Sequence, residues 1–155
     1  EFSRGLMVCL MFIGACAGST GGGIKVSRIM IYLKQVRKEL IQQIHPRRVH
    51  VLKMDGKEIP HATAHSCNVL LMTYVVVFIA SYLLISLDGF DTTTNFTAIA
   101  ATLNNIGPGL NMVGATGNFS AFSNFSKFVL MFDMLAGRLE IIPMLLLFYP
   151  STWKK

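Results

Sequence analysis

The sequence predicts an all-α membrane protein with one small cytoplasmic β-hairpin. Three observations carry this. Only 14% of the 155 residues are charged and 52% are hydrophobic, whereas an ordinary soluble domain carries about 25% charged residues; the mean hydropathy of +0.52 agrees. Residues 66–87 hold no charge over 22 positions, enough to cross a hydrocarbon core of about 30 Å. Between Lys25 and Glu58, nine Lys and Arg face three acids, a net +6 beside apolar segments. That placement follows the positive-inside rule rather than the basic face of a nucleic-acid binder.

The elements follow in order. The chain opens on Glu1-Phe2-Ser3-Arg4, without Met or a signal-peptide pattern, and reads as the C-terminal part of a longer protein. Residues 6–17 form an apolar helix too short to span. Residues 18–23 carry four glycines and break it. A helical pattern resumes over 26–45, with Val26, Ile29, Met30, Leu33, Val36, Leu40 and Ile44 near a 3.6 period. His45-Pro46 ends that helix. Residues 49–60 place Asp55-Gly56 between two short arms, a hairpin signal.

Residues 66–87 are an outer helix running from the cytoplasm outward, with basic residues before it and Asp88 and Asp91 after it. Residues 92–103 are a short apolar segment that Thr or Asn could cap, suited to a re-entrant helix rather than a span. Residues 104–110 form a glycine-rich loop. A polar stretch reaches Ser126, and an inner helix over 127–149 returns to the cytoplasm. Trp153-Lys154-Lys155 combines an aromatic interface anchor with cytoplasmic charge. The order outer helix, re-entrant helix, loop, inner helix is the helix–pore-loop–helix unit of a cation channel.

The loop Asn104-Asn105-Ile106-Gly107-Pro108-Gly109 carries the functional question. Irregular backbone at membrane depth must line water or be buried in protein. Facing a pore, it offers carbonyl oxygens to a dehydrated cation. The preceding helix adds about half a negative charge at its C-terminus. Glycine suits positive φ and close approach, and Pro108 stiffens the turn. A Gly-Pro-Gly turn on the outer surface fits the same spacing.

The segment Gly18, Ser19, Thr20, Gly21, Gly22, Gly23, Ile24, Lys25 places Gly18 and Gly23 at phosphate-loop separation. Ile24 occupies the required Lys position, however, and no β-strand precedes it, so the phosphate-loop reading fails. What remains is a gate lining a cavity, or a helix break made for packing. Arg138 lies in an apolar span near Asp133 and Glu140. Such a charge usually faces the interior, paired. It could raise a barrier to cations, hold loop carbonyls, or form a structural pair with an acid.

Cys9, Cys16 and Cys67 are odd in number and lack CxxC, which points away from disulfides and zinc. His45, His50, His61 and His65 lack compact ligand spacing. Asn95, Asn118 and Asn124 each open an Asn-Phe-Ser/Thr sequon, which is weak evidence of modification. A secondary cation transporter with broken-helix ion sites and a membrane-anchored interaction protein remain alternatives.

Three motifs in order resemble the C-terminal third of the TrkH-type subunit of bacterial Trk potassium uptake systems, of the Trk/Ktr family. They are GACAGSTGGGIK over residues 14–25 followed by His45-Pro46, ATLNNIGPGL over 101–110, and GRLE over 137–140 with the tail Pro150-Ser151-Thr152-Trp153. The resemblance implies a non-enzymatic potassium pore of four non-identical repeats. Residues 1–48 would end the third repeat and 61–155 form the fourth. Asn105, Ile106, Gly107, Pro108 and Gly109 would stand where potassium channels carry Thr-Val-Gly-Tyr-Gly. Residues 18–23 with Lys25 would be the gating loop, and Arg138 the pore-facing arginine.

It further implies K⁺ as the transported ion, by symport or channel-like conduction, with no cofactor in this chain. The protein would be a multi-pass homodimer of the bacterial cytoplasmic (inner) membrane, its C-terminus cytoplasmic. A cytosolic nucleotide-binding regulatory subunit would meet the basic segment 34–57. Two departures stand out: the first two repeats and third filter strand are missing, and Asn111-Met112 follows the loop where small residues are expected.

Overall fold

The computed structural model describes residues 2–16, 18–19, 21–45, 51–54, 56–139, 141–147 and 149. Six helices and a two-stranded hairpin follow one another: α1 (Phe2–Met11), α2 (Val26–Ile44), β1 (Lys53–Met54), β2 (Lys57–Glu58), α3 (His61–Ile85), α4 (Thr92–Leu103), α5 (Asn124–Leu139) and α6 (Ile141–Leu147).

α1 stops at Met11, short of the expected 17. The apolar residues after it are drawn into tertiary pairing instead. Ile13 makes a parallel bridge with Ile24, and the Gly14 and Val26 amides donate to Ile24 O and Ala15 O at 2.9 and 3.3 Å. The glycine segment thus folds back on the end of α1 before α2 begins.

The expected apolar stripe of α2 faces outward: Met30, Leu33, Val36, Leu40 and Ile44 are all exposed, and Ile31 is the buried residue of this helix. Lys34 Nζ donates to Lys53 O at 2.9 Å, tying the hairpin to α2. The hairpin pairs Lys53 with Glu58 and Met54 with Lys57; Asp55 and residues 49–50 lie outside the described residues.

α3 begins at His61, immediately after Pro60 and earlier than the expected 66. With its 3₁₀ extension it covers His61–Asp88. Among the described residues this is the one helix long and apolar enough to cross a membrane. Val69, Met72, Val76, Ile79 and Leu83 face outward along it.

α4 is the centre of the fold. From Thr94 to Leu103 every residue except Phe96 is buried. A helix of small side chains (Ala98, Ala100 and Ala101 among them) lets α3 and α5 approach on both sides. Asp91 caps it, its carboxylate accepting from the Thr94 amide at 3.1 Å. An acidic cap thus replaces the Thr or Asn cap expected from sequence.

Two apolar clusters hold these helices. One gathers Ile85, Ile99, Val113, Phe122 and Leu130. The other joins Tyr74, Leu103, Ala136, Ile141 and Met144 at the C-terminal end of α4. α5 starts at Asn124, three residues before the expected 127, where Ser123 Oγ accepts the Ser126 amide at 3.1 Å. Glu140 and residues 150–155, including the Trp153-Lys154-Lys155 tail, lie outside the described residues. Asn95 is buried and its Nδ2 donates to Phe90 O at 3.2 Å, so that sequon is closed to modification in the fold.

Candidate functional site

The loop after α4 is pinned on one side and open on the other. The Ile106 amide donates back to Ala101 O at 2.9 Å, and the Gly109 amide to Val113 O at 2.7 Å. The Leu110 amide donates to Thr97 Oγ1 at 3.0 Å, while that hydroxyl donates to Thr93 O at 2.7 Å. A Cβ on Gly109 would fall 2.6 Å from Val113 Cγ2, so the loop packs flush against its support.

On the open side, Ile106, Gly107 and Pro108 are exposed. Among the described residues, none donates a hydrogen bond to the carbonyls of Asn105, Ile106, Gly107 or Pro108. Gly107 has φ +102°, and Asn105 has φ +55°, so the backbone leaves the right-handed and extended regions here. That is the conformation for which glycine is favoured. A groove of about 510 Å³ borders Thr102, Asn105, Ile106, Gly107 and Met134. Asn111-Met112 continues into a 3₁₀ turn, Asn111–Val113, and Asn111 Nδ2 donates to Asp91 Oδ2 at 3.0 Å. The bulkier pair is therefore accommodated by a turn anchored on the α4 cap.

The glycine segment lies against the start of this loop. A Cβ on Gly22 would stand 2.8 Å from Asn104 O and from Asn105 Nδ2, and one on Gly23 2.7 Å from Asn104 Oδ1. Ser19 Oγ accepts the Gly21 amide at 3.1 Å. Lys25 occupies the residue before α2. Gly18 is exposed and turned away from these contacts, and Thr20 lies outside the described residues.

A cavity of about 330 Å³ opens beside the segment, lined by Ser19, Gly21, Gly23, Lys25, Tyr74 and Arg138 among others. The structure thus brings Arg138 and the glycine segment to one cavity. It does not pair Arg138 with Asp133: that carboxylate is fully buried, its Oδ1 accepts from Ser81 Oγ at 2.7 Å, and its Oδ2 has no hydrogen-bond partner. The pairing of Arg138 with Glu140 falls outside the described residues.

Sequence reasoning missed Thr97, Tyr74 and Asp91. Thr97 and Tyr74 look like ordinary polar residues in apolar helices, and only the packing shows that their hydroxyls meet the loop. Asp91 was legible as an acid before a helix, a common cap.

Comparison with known proteins agrees with the helical fold. The family model for TrkH, described as a cation transport protein, matches residues 1–155. The chain is 41% identical over 150 residues to the Trk system potassium uptake protein TrkH of Escherichia coli K12. It is 34% identical over 144 residues to TrkG of the same organism. It covers 97% of itself but 31% of that TrkH, and 92% of itself but 29% of that TrkG. Among solved structures, the crystal structure of the potassium transporter TrkH from Vibrio parahaemolyticus superimposes with a TM-score of 0.88 at 39% identity. That match covers 99% of this chain and 32% of the other, and supports a helical membrane fold. The chain spans about a third of the length of these relatives, which are uptake proteins and transporters rather than enzymes. The chain belongs to the TrkH family of cation transport proteins.

Proposed function

We propose that this chain supplies one filter strand and most of the gate of a potassium-translocating membrane protein. Asn105 to Gly109 are the strand, and their carbonyls replace water around K⁺. The observation that carries this reading is the row of carbonyls at 105–108 without hydrogen-bond donors, on a loop whose opposite side is fastened through Thr97, Val113 and Ala101. A row of carbonyls free of protein donors and exposed on a rigid support fits oxygens available to an ion.

Residues 18–23 with Lys25 act as the gate, seated below the strand against Asn104. Arg138 faces the same cavity and stabilises the closed loop by its charge and its hydrogen-bond donors. The complete pore needs further strands of the same kind, contributed by the two thirds of the relatives' length that this chain does not cover. The full protein is a multi-pass homodimer of the bacterial inner membrane with a cytoplasmic C-terminus. The basic surface of α2 and the hairpin receives a cytosolic nucleotide-binding regulatory subunit.

The test is ion competition in proteoliposomes holding the full-length transporter. K⁺ is expected to suppress Rb⁺ tracer flux while equal Na⁺ leaves it unchanged. Equal competition by the two ions would overturn the assignment.

A further inference from the structure

Three elements converge on Asn105, the first residue of the candidate filter strand, and on Asn104 just before it. Tyr74, buried on α3, donates its hydroxyl to Asn104 Oδ1 at 3.0 Å. Asn104 Nδ2 donates to Ala100 O at 2.8 Å, so both ends of this 3%-exposed amide are committed. Asn105 Nδ2 donates to Met134 O of α5 at 3.2 Å. The glycine segment fills the remaining side, with Gly23 against Asn104 Oδ1 and Gly22 against Asn104 O and Asn105 Nδ2.

Interiors packed in this way transmit displacements rather than absorb them. If residues 22–23 move, the Asn104 side chain loses a wall beside the oxygen that Tyr74 holds, and the Asn104 carbonyl and Asn105 side chain lose their support. A filter discriminates ions by the number and placement of its carbonyls, so such a shift acts on selectivity and not on passage alone.

We infer that Tyr74 and Asn104 are positioning residues that couple the glycine segment to the filter strand, so that displacing the segment changes ion selectivity together with conduction. This rests on the filter and gate reading above. It adds a contact through which the two devices act as one.

The experiment measures K⁺ and Na⁺ flux through the full-length transporter in proteoliposomes. The variants are Tyr74→Phe, Gly23→Ala, their combination, and Gly107→Ser. Thr73→Ala is the control, because its hydroxyl donates within α3 to Val69 O at 2.8 Å. Tyr74→Phe is expected to lower the K⁺/Na⁺ flux ratio by roughly two- to tenfold, the range spanned by one neutral hydrogen bond. Gly23→Ala is expected to lower it as well, and the pair to be non-additive, as contacting residues are. Thr73→Ala should keep the wild-type ratio.

An unchanged ratio in Tyr74→Phe and Gly23→Ala, with a lowered ratio in Gly107→Ser, would overturn the coupling and leave the filter standing. Strict additivity would overturn it too. An unchanged ratio in all variants would remove the filter reading and the coupling with it. Should Gly23→Ala fail to fold, Tyr74→Phe decides alone.

Discussion

Gly137 of α5 lies directly on the carbonyl oxygen of Leu103, the last residue of α4, with no room for a side chain between them. The end of the short helix, and so the start of the loop after it, is positioned by this contact. Gly137→Ala is expected to destabilise the protein by about 1–3 kcal/mol, the usual cost of overpacking. Gly5→Ala, on a helix position with nothing within 4 Å of the added carbon, should be neutral or stabilising by about 0.4–1 kcal/mol. Thermal unfolding of the detergent-solubilised full-length protein compares the two. Equal melting temperatures would contradict the packing described.

Thr97 holds the loop from behind through Leu110. Thr97→Val keeps the shape and leaves the Leu110 amide without its acceptor, a loss of about 1–3 kcal/mol. A lower melting temperature and a lower K⁺/Na⁺ flux ratio are expected. Thr97→Ser retains the hydroxyl and should restore both. A Val variant indistinguishable from Ser would mean the bond is dispensable.

Arg138 shares its cavity with Ser19, Gly21 and Gly23. Removing its charge and donors should loosen the closed segment, so Arg138→Ala is expected to raise basal K⁺ flux in the absence of any regulator. Flux assays in proteoliposomes read this directly, and a variant no leakier than wild type would count against the gating role.

Asp91 caps α4 from outside the membrane-spanning segments. The Thr94 hydroxyl, then the Thr94 amide and the Asn111 side chain, hold its carboxyl below the usual range near 3.8. Because its folded pKa is depressed, its contribution is fully present above the ordinary carboxylate pKa. It is lost as pH falls through the folded value. The wild-type protein should therefore lose melting temperature on acidification below about pH 4 more steeply than Asp91→Asn, which retains an acceptor without titrating. Parallel profiles for the two proteins would dismiss this cap as a titrating group.

The helices were legible where composition and length speak alone. Residues 66–87 carry no charge, and 92–103 are a short apolar run that ends at a glycine-rich loop. Boundaries set by tertiary contact were not legible. Ile13 looks helical until Ile24 pairs with it, and the near-3.6 period of α2 does not show that its apolar stripe points outward. The glycine segment announced a break, but only its packing on Asn104 and Asn105 shows which part of the loop it touches. Helical spacing likewise does not show that Asp133, one of the two acids near Arg138, accepts from Ser81; Glu140, the other, lies outside the described residues.

The central claim is that residues 105–109 discriminate potassium. The most direct measurement is the K⁺/Na⁺ flux ratio of the full-length transporter carrying Gly107→Ser. Gly107 has φ +102°, a conformation that strains any other residue, so a serine there displaces the neighbouring carbonyls. A marked fall in the ratio, with the protein still folded and inserted, is the predicted result. A ratio equal to wild type would contradict the account.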